Sequence, residues 1–200
     1  MPRLFRATYF LALSICATAA AACGDPFAVK APYQTVSDSF AISALTRTPS
    51  TSRALWRIAD FVRYRLDSVG AQFDLGFDID AAGKVLVYPA RTIAKPPPGT
   101  SVAPQLVGLQ ASSAVYSTVD RAPDTGYTLD TAIVVTKGQT VFVRSTSSFC
   151  ALQTRSTGGT LLYAKFIVDS INPVTRELLV RSTIQPSCNF RSFATGIPTF

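Results

Sequence analysis

Three observations predict an all-β fold, an antiparallel sandwich or barrel-like single domain built from hairpins. Apolar and polar residues alternate with a period of two, turn-forming residues separate the alternating runs, and the composition suits pleated surfaces. The chain favours Thr, Ser, Val, Phe and Tyr, its only glutamate is Glu177, and fourteen of its nineteen basic residues are arginine. Long helices draw heavily on Glu and Lys, which are scarce here.

The elements follow in order. Ser39 to Leu45 sets Phe40, Ile42 and Ala44 against Ser39, Ala41 and Ser43, which predicts a first strand, and Pro49 breaks the chain after it. Ala54 to Leu66 fits two patterns: Leu55, Ile58, Val62 and Leu66 mark a helical face, while Val62, Tyr64 and Leu66 against Phe61, Arg63 and Arg65 mark a strand. The β character of the surroundings favours strand. From Ala71 to Pro89 the pattern is sharpest. Phe73, Leu75, Phe77 and Ile79 form an apolar face, Asp74, Gly76, Asp78 and Asp80 a wet one, and Asp80-Ala81-Ala82-Gly83 turns the chain into Val85 to Tyr88. Pro96, Pro97, Pro98 and Gly99 predict a stiff crossing between sheets. Gln105 to Gln110 is a short strand, and Tyr116 to Tyr127 is irregular around Ala122-Pro123-Asp124. Two further hairpins are expected, Thr131 to Ser145 across Lys137-Gly138 and Thr160 to Ile184 across Asn172-Pro173-Val174. In the last, Leu162, Ala164, Phe166 and Val168 make an apolar face opposite the mixed Leu161, Tyr163, Lys165, Ile167 and Asp169.

The first two dozen residues have the plan of an export signal. Arg3 and Arg6 precede an apolar stretch from Tyr9 to Ala17, and small residues from Ala19 to Ala22 lead to Cys23; the stretch is too short for a membrane span. The Ala-Ala-Ala-Cys junction resembles a bacterial lipobox, with Ala20 where that motif usually has Leu. The resemblance implies that Cys23 is acylated and becomes the N-terminus, and the several acyl chains of such lipoproteins anchor stably where one would not. The expected organisation is a signal peptide over 1–22, a lipid anchor and Pro-containing tether over 23–37, and an all-β domain over 38–200.

Cysteine parity points the same way. The cysteines are Cys16, Cys23, Cys150 and Cys188, and Cys16 leaves with the signal. With Cys23 acylated, Cys150 and Cys188 remain as one pair in an oxidising compartment, each just past a predicted strand end, and a structural disulfide is expected. Cutting at a plain signal-peptidase site would instead leave an unpaired thiol near the terminus.

The missing residue types restrict the chemistry. There is no histidine, and Met1 is the only methionine, so Ser-His-Asp and Cys-His catalysis and histidine metal sites are excluded. No phosphate-binding, dinucleotide-binding or nucleophile-elbow glycine motif occurs. An exported hydrolase would need a serine–lysine dyad on Lys137 or Lys165, or a pair of carboxylates. Asp78, Asp80 and Gly83 copy three positions of an EF-hand-type loop, with Asp74 nearby. Ala82 and Pro89 stand where two ligands belong, including the bidentate one, so the hairpin explains the aspartates better than calcium does. The mature chain carries seventeen basic against twelve acidic residues, a net charge of +5. Arg53, Arg57, Arg63 and Arg65, interleaved with Trp56, Phe61 and Tyr64, form its tightest cluster. Such a cluster suits an anion or glycan patch, or simply a solvated strand face.

Several segments resemble the HmuY-type haem-binding lipoproteins. Phe73-Asp74-Leu75-Gly76-Phe77 is similar to a strand of that group. Ala122-Pro123-Asp124-Thr125-Gly126-Tyr127-Thr128-Leu129-Asp130 is similar to its Pro-to-Asp loop. Val141-Phe142-Val143-Arg144-Ser145-Thr146 with Tyr163-Ala164-Lys165-Phe166-Ile167-Val168 resembles its closing hairpin. The resemblance implies an anchored all-β fold. Haem-binding members hold iron through histidine or methionine pairs, which this mature chain lacks, so no ligand residue carries over; axial ligation would have to come from Tyr, Lys or Cys, for instance Tyr116, Tyr127 or Tyr163. The expectation is therefore a lipid-anchored, non-enzymatic domain of the cell envelope, facing the periplasm or the exterior. It would bind a protein, a glycan or a small apolar ligand and no nucleic acid, and it would need no cofactor. A haem or apolar-ligand carrier and an exported hydrolase are the alternatives.

Overall fold

The computed structural model describes residues 29–47, 52–68, 72–93, 105–147, 149–150 and 160–197. The signal segment, Cys23 and the Pro96–Gly99 crossing lie outside the described residues. The fold is an antiparallel β-sandwich. One sheet has six strands, β1 (Val36–Ser43), β6 (Val107–Ser112), β7 (Thr128–Leu129), β9 (Thr140–Thr146), β10 (Leu161–Asn172) and β11 (Glu177–Gln185). Their order is β1-β11-β10-β9-β6-β7. The second sheet has β2 (Arg53–Trp56), β3 (Arg63–Arg65), β4 (Leu75–Ile79), β5 (Val85–Pro89) and β8 (Ile133–Val135), in the order β3-β2-β4-β5-β8. A four-residue helix, α1 (Ala90–Ile93), follows β5.

The two-residue period fills the space between the sheets. Phe40 and Ile42 of β1, Leu75, Phe77 and Ile79 of β4, Val141 and Val143 of β9, and Leu162, Ala164, Phe166 and Val168 of β10 share one buried core. Four rings cross the interface. Trp56 lies 5.1 Å from Phe40, 6.5 Å from Phe77 and 6.2 Å from Phe166, with Phe77 and Phe166 5.6 Å apart. Tilted and edge-on contacts of this kind suit the ring quadrupole.

Two hairpins form where turn chemistry marks them. Between β4 and β5, Asp80 Oδ1 accepts the Lys84 N–H at 2.8 Å while Gly83 holds φ at +77°, a conformation other residues adopt only under strain. Between β10 and β11, Asn172 Oδ1 accepts the N–H groups of Val174 and Thr175, and Arg176 takes the left-handed conformation.

The structure corrects three expectations. Thr131 to Ser145 is not a hairpin: β8 joins β5 in one sheet, β9 joins β6 and β10 in the other, and Lys137-Gly138 is a corner between sheets. Gly138 at φ +77° serves a sheet-to-sheet corner as well as a hairpin, which is why local turn chemistry misassigned it. Ala54 to Leu66 is neither one strand nor a helix. It is the antiparallel pair β2 and β3, reversed through Asp60, whose Oδ1 accepts the Val62 N–H, and Phe61 at φ +61°. The wet face of β4 is dry, with Asp74, Gly76 and Asp78 all buried. The chain just past β1 runs along β4, donating the Leu45 N–H to the Phe77 carbonyl, and α1 closes over Gly76, where a Cβ would lie 2.3 Å from Ile93 Cδ1. The mixed face of β10, opposite its core face, is covered as well, burying Tyr163, Lys165 and Ile167.

Cys150 and Cys188 lie at disulfide distance, bonded through their sulfurs with Cα atoms 5.6 Å apart. The bond ties the segments that follow β9 and β11, the two neighbours of β10. Closing a 38-residue separation stabilises the fold by about 3–4 kcal/mol on the chain-entropy account. Cys188→Ala should therefore lower the melting temperature by about 10 °C in calorimetry, and non-reducing peptide mapping of the parent protein should yield one cross-linked pair.

Candidate functional site

The outer face of the six-stranded sheet is where this sandwich departs from a plain scaffold. Alternation turns Phe142 and Arg144 of β9, and Tyr163, Lys165, Ile167 and Asp169 of β10, away from the core. The segment between β6 and β7 and the residues after β11 close over them. There, Ala122, Phe142, Tyr163 and Phe193 form a second apolar cluster, with the Phe142 and Phe193 rings stacked at 6.4 Å.

Lys165 fastens this cover. Its Nζ donates to the Tyr116 carbonyl at 2.8 Å and to the Val119 carbonyl, and it sits 4.5 Å from the Tyr116 ring centre and 5.4 Å from that of Phe193. Carbonyl oxygens and ring faces all favour the ammonium form, while burial pushes the Lys165 pKa below its ordinary value. A serine–lysine dyad needs the amine turned to a serine hydroxyl. Lys165 turns to carbonyls instead.

Beside this cover lies a groove of about 540 Å³, between residues 112–117, the corner at 136–140 and the outer side chains Ile167 and Arg181. Ser112, Ser113, Ser117 and Thr136 supply hydroxyls, Lys137 and Arg181 supply positive charge, and no acidic side chain lines it. The wall is braced from behind. Thr140 Oγ1 donates to the Ala114 carbonyl at 2.7 Å, and the Tyr116 hydroxyl lies 2.7 Å from Thr183 Oγ1. Arg181 forks onto Asp169 at 3.1 and 2.7 Å and stands 5.5 Å from the Tyr116 ring centre. Lys137 has no carboxylate partner among the described residues. The arrangement can orient a polar or anionic molecule, and it offers no carboxylate base.

The residues singled out from the sequence are dispersed. Asp74 lies between the sheets, its Oδ2 accepting the Ile58 N–H at 2.7 Å and its Oδ1 the Ser145 hydroxyl. Asp78 Oδ1 accepts from Thr46 Oγ1 at 2.6 Å and from the Arg176 guanidinium at 3.1 Å. Asp80 is held in its turn. Each carboxylate is thus engaged on its own, and no cluster of three metal-ligating side chains occurs among the described residues. In the arginine cluster, Arg57 pairs with Asp60 and Arg65 with Asp67, while Arg63 stands over the Phe40 ring at 5.2 Å. Trp56 is fully buried in the core, so it presents no face on which a sugar could stack. Tyr116, Tyr127 and Tyr163 all lie on the covered face. Burial raises the pKa of each, which opposes the phenolate that iron ligation requires. The Tyr127 hydroxyl donates to the Pro123 carbonyl at 3.2 Å.

The groove and the Lys165 fastening escaped sequence reading. The usable signal was the lysine itself, placed mid-strand on a face shared with Tyr163 and Ile167.

Asp74 provides a test of the buried polar ties. Burial is the largest influence on its carboxyl and holds the pKa above the ordinary value, against the lowering effect of its two hydrogen bonds. A raised folded-state pKa contributes stability that is complete below the unfolded value and is lost as pH rises through the folded one. Asp74→Asn should flatten that acid-side slope in denaturation curves. Asp74→Ala strands the Ile58 N–H and the Ser145 hydroxyl and should cost about 1–3 kcal/mol at neutral pH.

No protein-family model, no curated protein and no solved structure matches this chain.

Proposed function

We propose that this protein is an exported, lipid-anchored β-sandwich of the bacterial cell envelope that binds a ligand or partner and performs no catalysis. One observation carries the reading. The Cys150–Cys188 bond uses the only two cysteines downstream of the signal-like segment other than Cys23, the residue the lipobox-like junction would acylate. A disulfide fits an oxidising compartment, and an acylated Cys23 leaves no stray thiol. Protein expressed in a bacterial host with lipoprotein processing should partition into detergent and carry the intact mass of a chain starting at acylated Cys23. Cys23→Ser should abolish both properties. A soluble product starting at Ala20 or at an unmodified Cys23 would overturn the reading.

The groove supports an anionic, hydroxyl-rich ligand, of which an acidic sugar is the simplest representative. Hydroxyl walls exchange hydrogen bonds with hydroxyls, and the unpaired charge of Lys137 favours a carboxylate or phosphate. Titration with glucuronate should shift the amide resonances of Ser113, Lys137 and Gly138, and Lys137→Gln should weaken the response several-fold. Unmoved amides would remove this ligand class.

A further inference from the structure

One end of the sandwich differs from the rest of the surface. The register of β1 on β11 places Val36 opposite Ile184 at this end and Ser43 opposite Glu177 at the other. The chain enters here and its last described residues return here. The Thr35 N–H donates to the Gly196 carbonyl at 3.2 Å, and the Tyr33 N–H donates to Ser187 Oγ at 3.0 Å, next to the disulfide. Exposed apolar side chains collect on these segments: Val29 at 59%, Tyr33 at 49%, Val36 at 41%, Phe149 at 37% and Ile197 at 54% exposure. Scattered single apolar residues are ordinary, but five on segments joined by hydrogen bonds and a disulfide form a patch. Across 29–36, 149–150 and 186–197 there is no acidic residue, and Lys30 and Arg191 are the only charges.

We propose that this end of the domain lies directly on the bilayer, with Tyr33, Val36, Phe149 and Ile197 in the headgroup layer. The inference rests on acylation of Cys23, and the chain length decides the occupant. Six residue steps separate Cys23 from Val29, which fully extended reach roughly 20 Å, less than the about 26 Å that the eight residues of β1 run. The anchor therefore keeps this end nearer the membrane than its opposite. Held at such high effective concentration, a modest patch engages even with a weak affinity of its own. Aromatic and aliphatic side chains insert at the headgroup boundary, and these segments carry Lys30 and no carboxylate of their own, Arg191 being paired with Asp124 of the neighbouring cover. Ser112 and Thr140, at the groove, pair at the far end of β6 and β9 from this surface, so the groove opens away from the membrane.

The acylated protein, reconstituted into vesicles of phosphatidylethanolamine and phosphatidylglycerol, tests this with single reporter cysteines carrying an environment-sensitive fluorophore. Tyr33→Cys, Val36→Cys and Ile197→Cys should give blue-shifted emission, quenched about twofold by nitroxide-bearing lipid, as insertion at the acyl boundary requires. Lys84→Cys and Val174→Cys, in the turns at the opposite end, should read as water. Co-flotation with vesicles while all five reporters read as water overturns the membrane face and leaves the anchor standing. Failure of the protein to co-float removes the anchor, and this proposal with it.

Discussion

Four aromatic rings set the spacing of the two sheets, and the rest of the molecule is arranged around them. Phe40 and Phe166 come from the six-stranded sheet, Trp56 and Phe77 from the five-stranded one, so each ring's position depends on strands of the other layer. Truncating such a ring typically costs about 3–5 kcal/mol, a large part of a typical net stability of about 5–15 kcal/mol. Burying Trp56 also leaves its Nε1 without a partner, an unmade hydrogen bond that the packing outweighs. The short strand β2 carries Trp56 into this core, and the Arg57–Asp60 turn then reverses the chain into β3.

Around this apolar layer, polar groups act as ties. Asp74 joins the segment before β4 to Ile58 and to Ser145 of the opposite sheet. Asp78 gathers Thr46, just past β1, and Arg176, from the β10–β11 turn, so it too links the sheets, at one end. Lys165 repeats the device on the outer face, where an ammonium replaces the missing backbone partners of an irregular segment. Each tie is a buried group with its hydrogen bonds made, and such groups specify one arrangement of chain more than they add net stability.

Alternation made much of this legible. Phe77 and Phe166 sit where the period of two places them, and the turns at Gly83 and Asn172 form the expected hairpins. The failures share one cause. Period and turn chemistry are local, whereas the layer a strand joins and the cover over its outer face are decided by residues far along the chain. Gly138 therefore looked like a hairpin and is a corner. Asp74 and Asp78 looked wet because nothing nearby in sequence shows that Leu45, Ile93 and Arg176 converge on β4. The groove was invisible for the same reason: it joins the end of β6, the β8–β9 corner and Arg181 of β11, three places separated by more than twenty residues each.

The pairing of β1 with β11 has a kinetic consequence. Val36 meets Ile184 and Ser43 meets Glu177, so among the described residues β1 finds its sheet partner after about 140 further residues. Until then β1 is an unpaired edge, and most of the six-stranded sheet cannot be completed from the N-terminal side. Such long-range closure makes folding slow compared with hairpin-only topologies. The strand that opens the six-stranded sheet is thus locked in place by the strand that closes it, and the edge it offers is covered only once β11 is present.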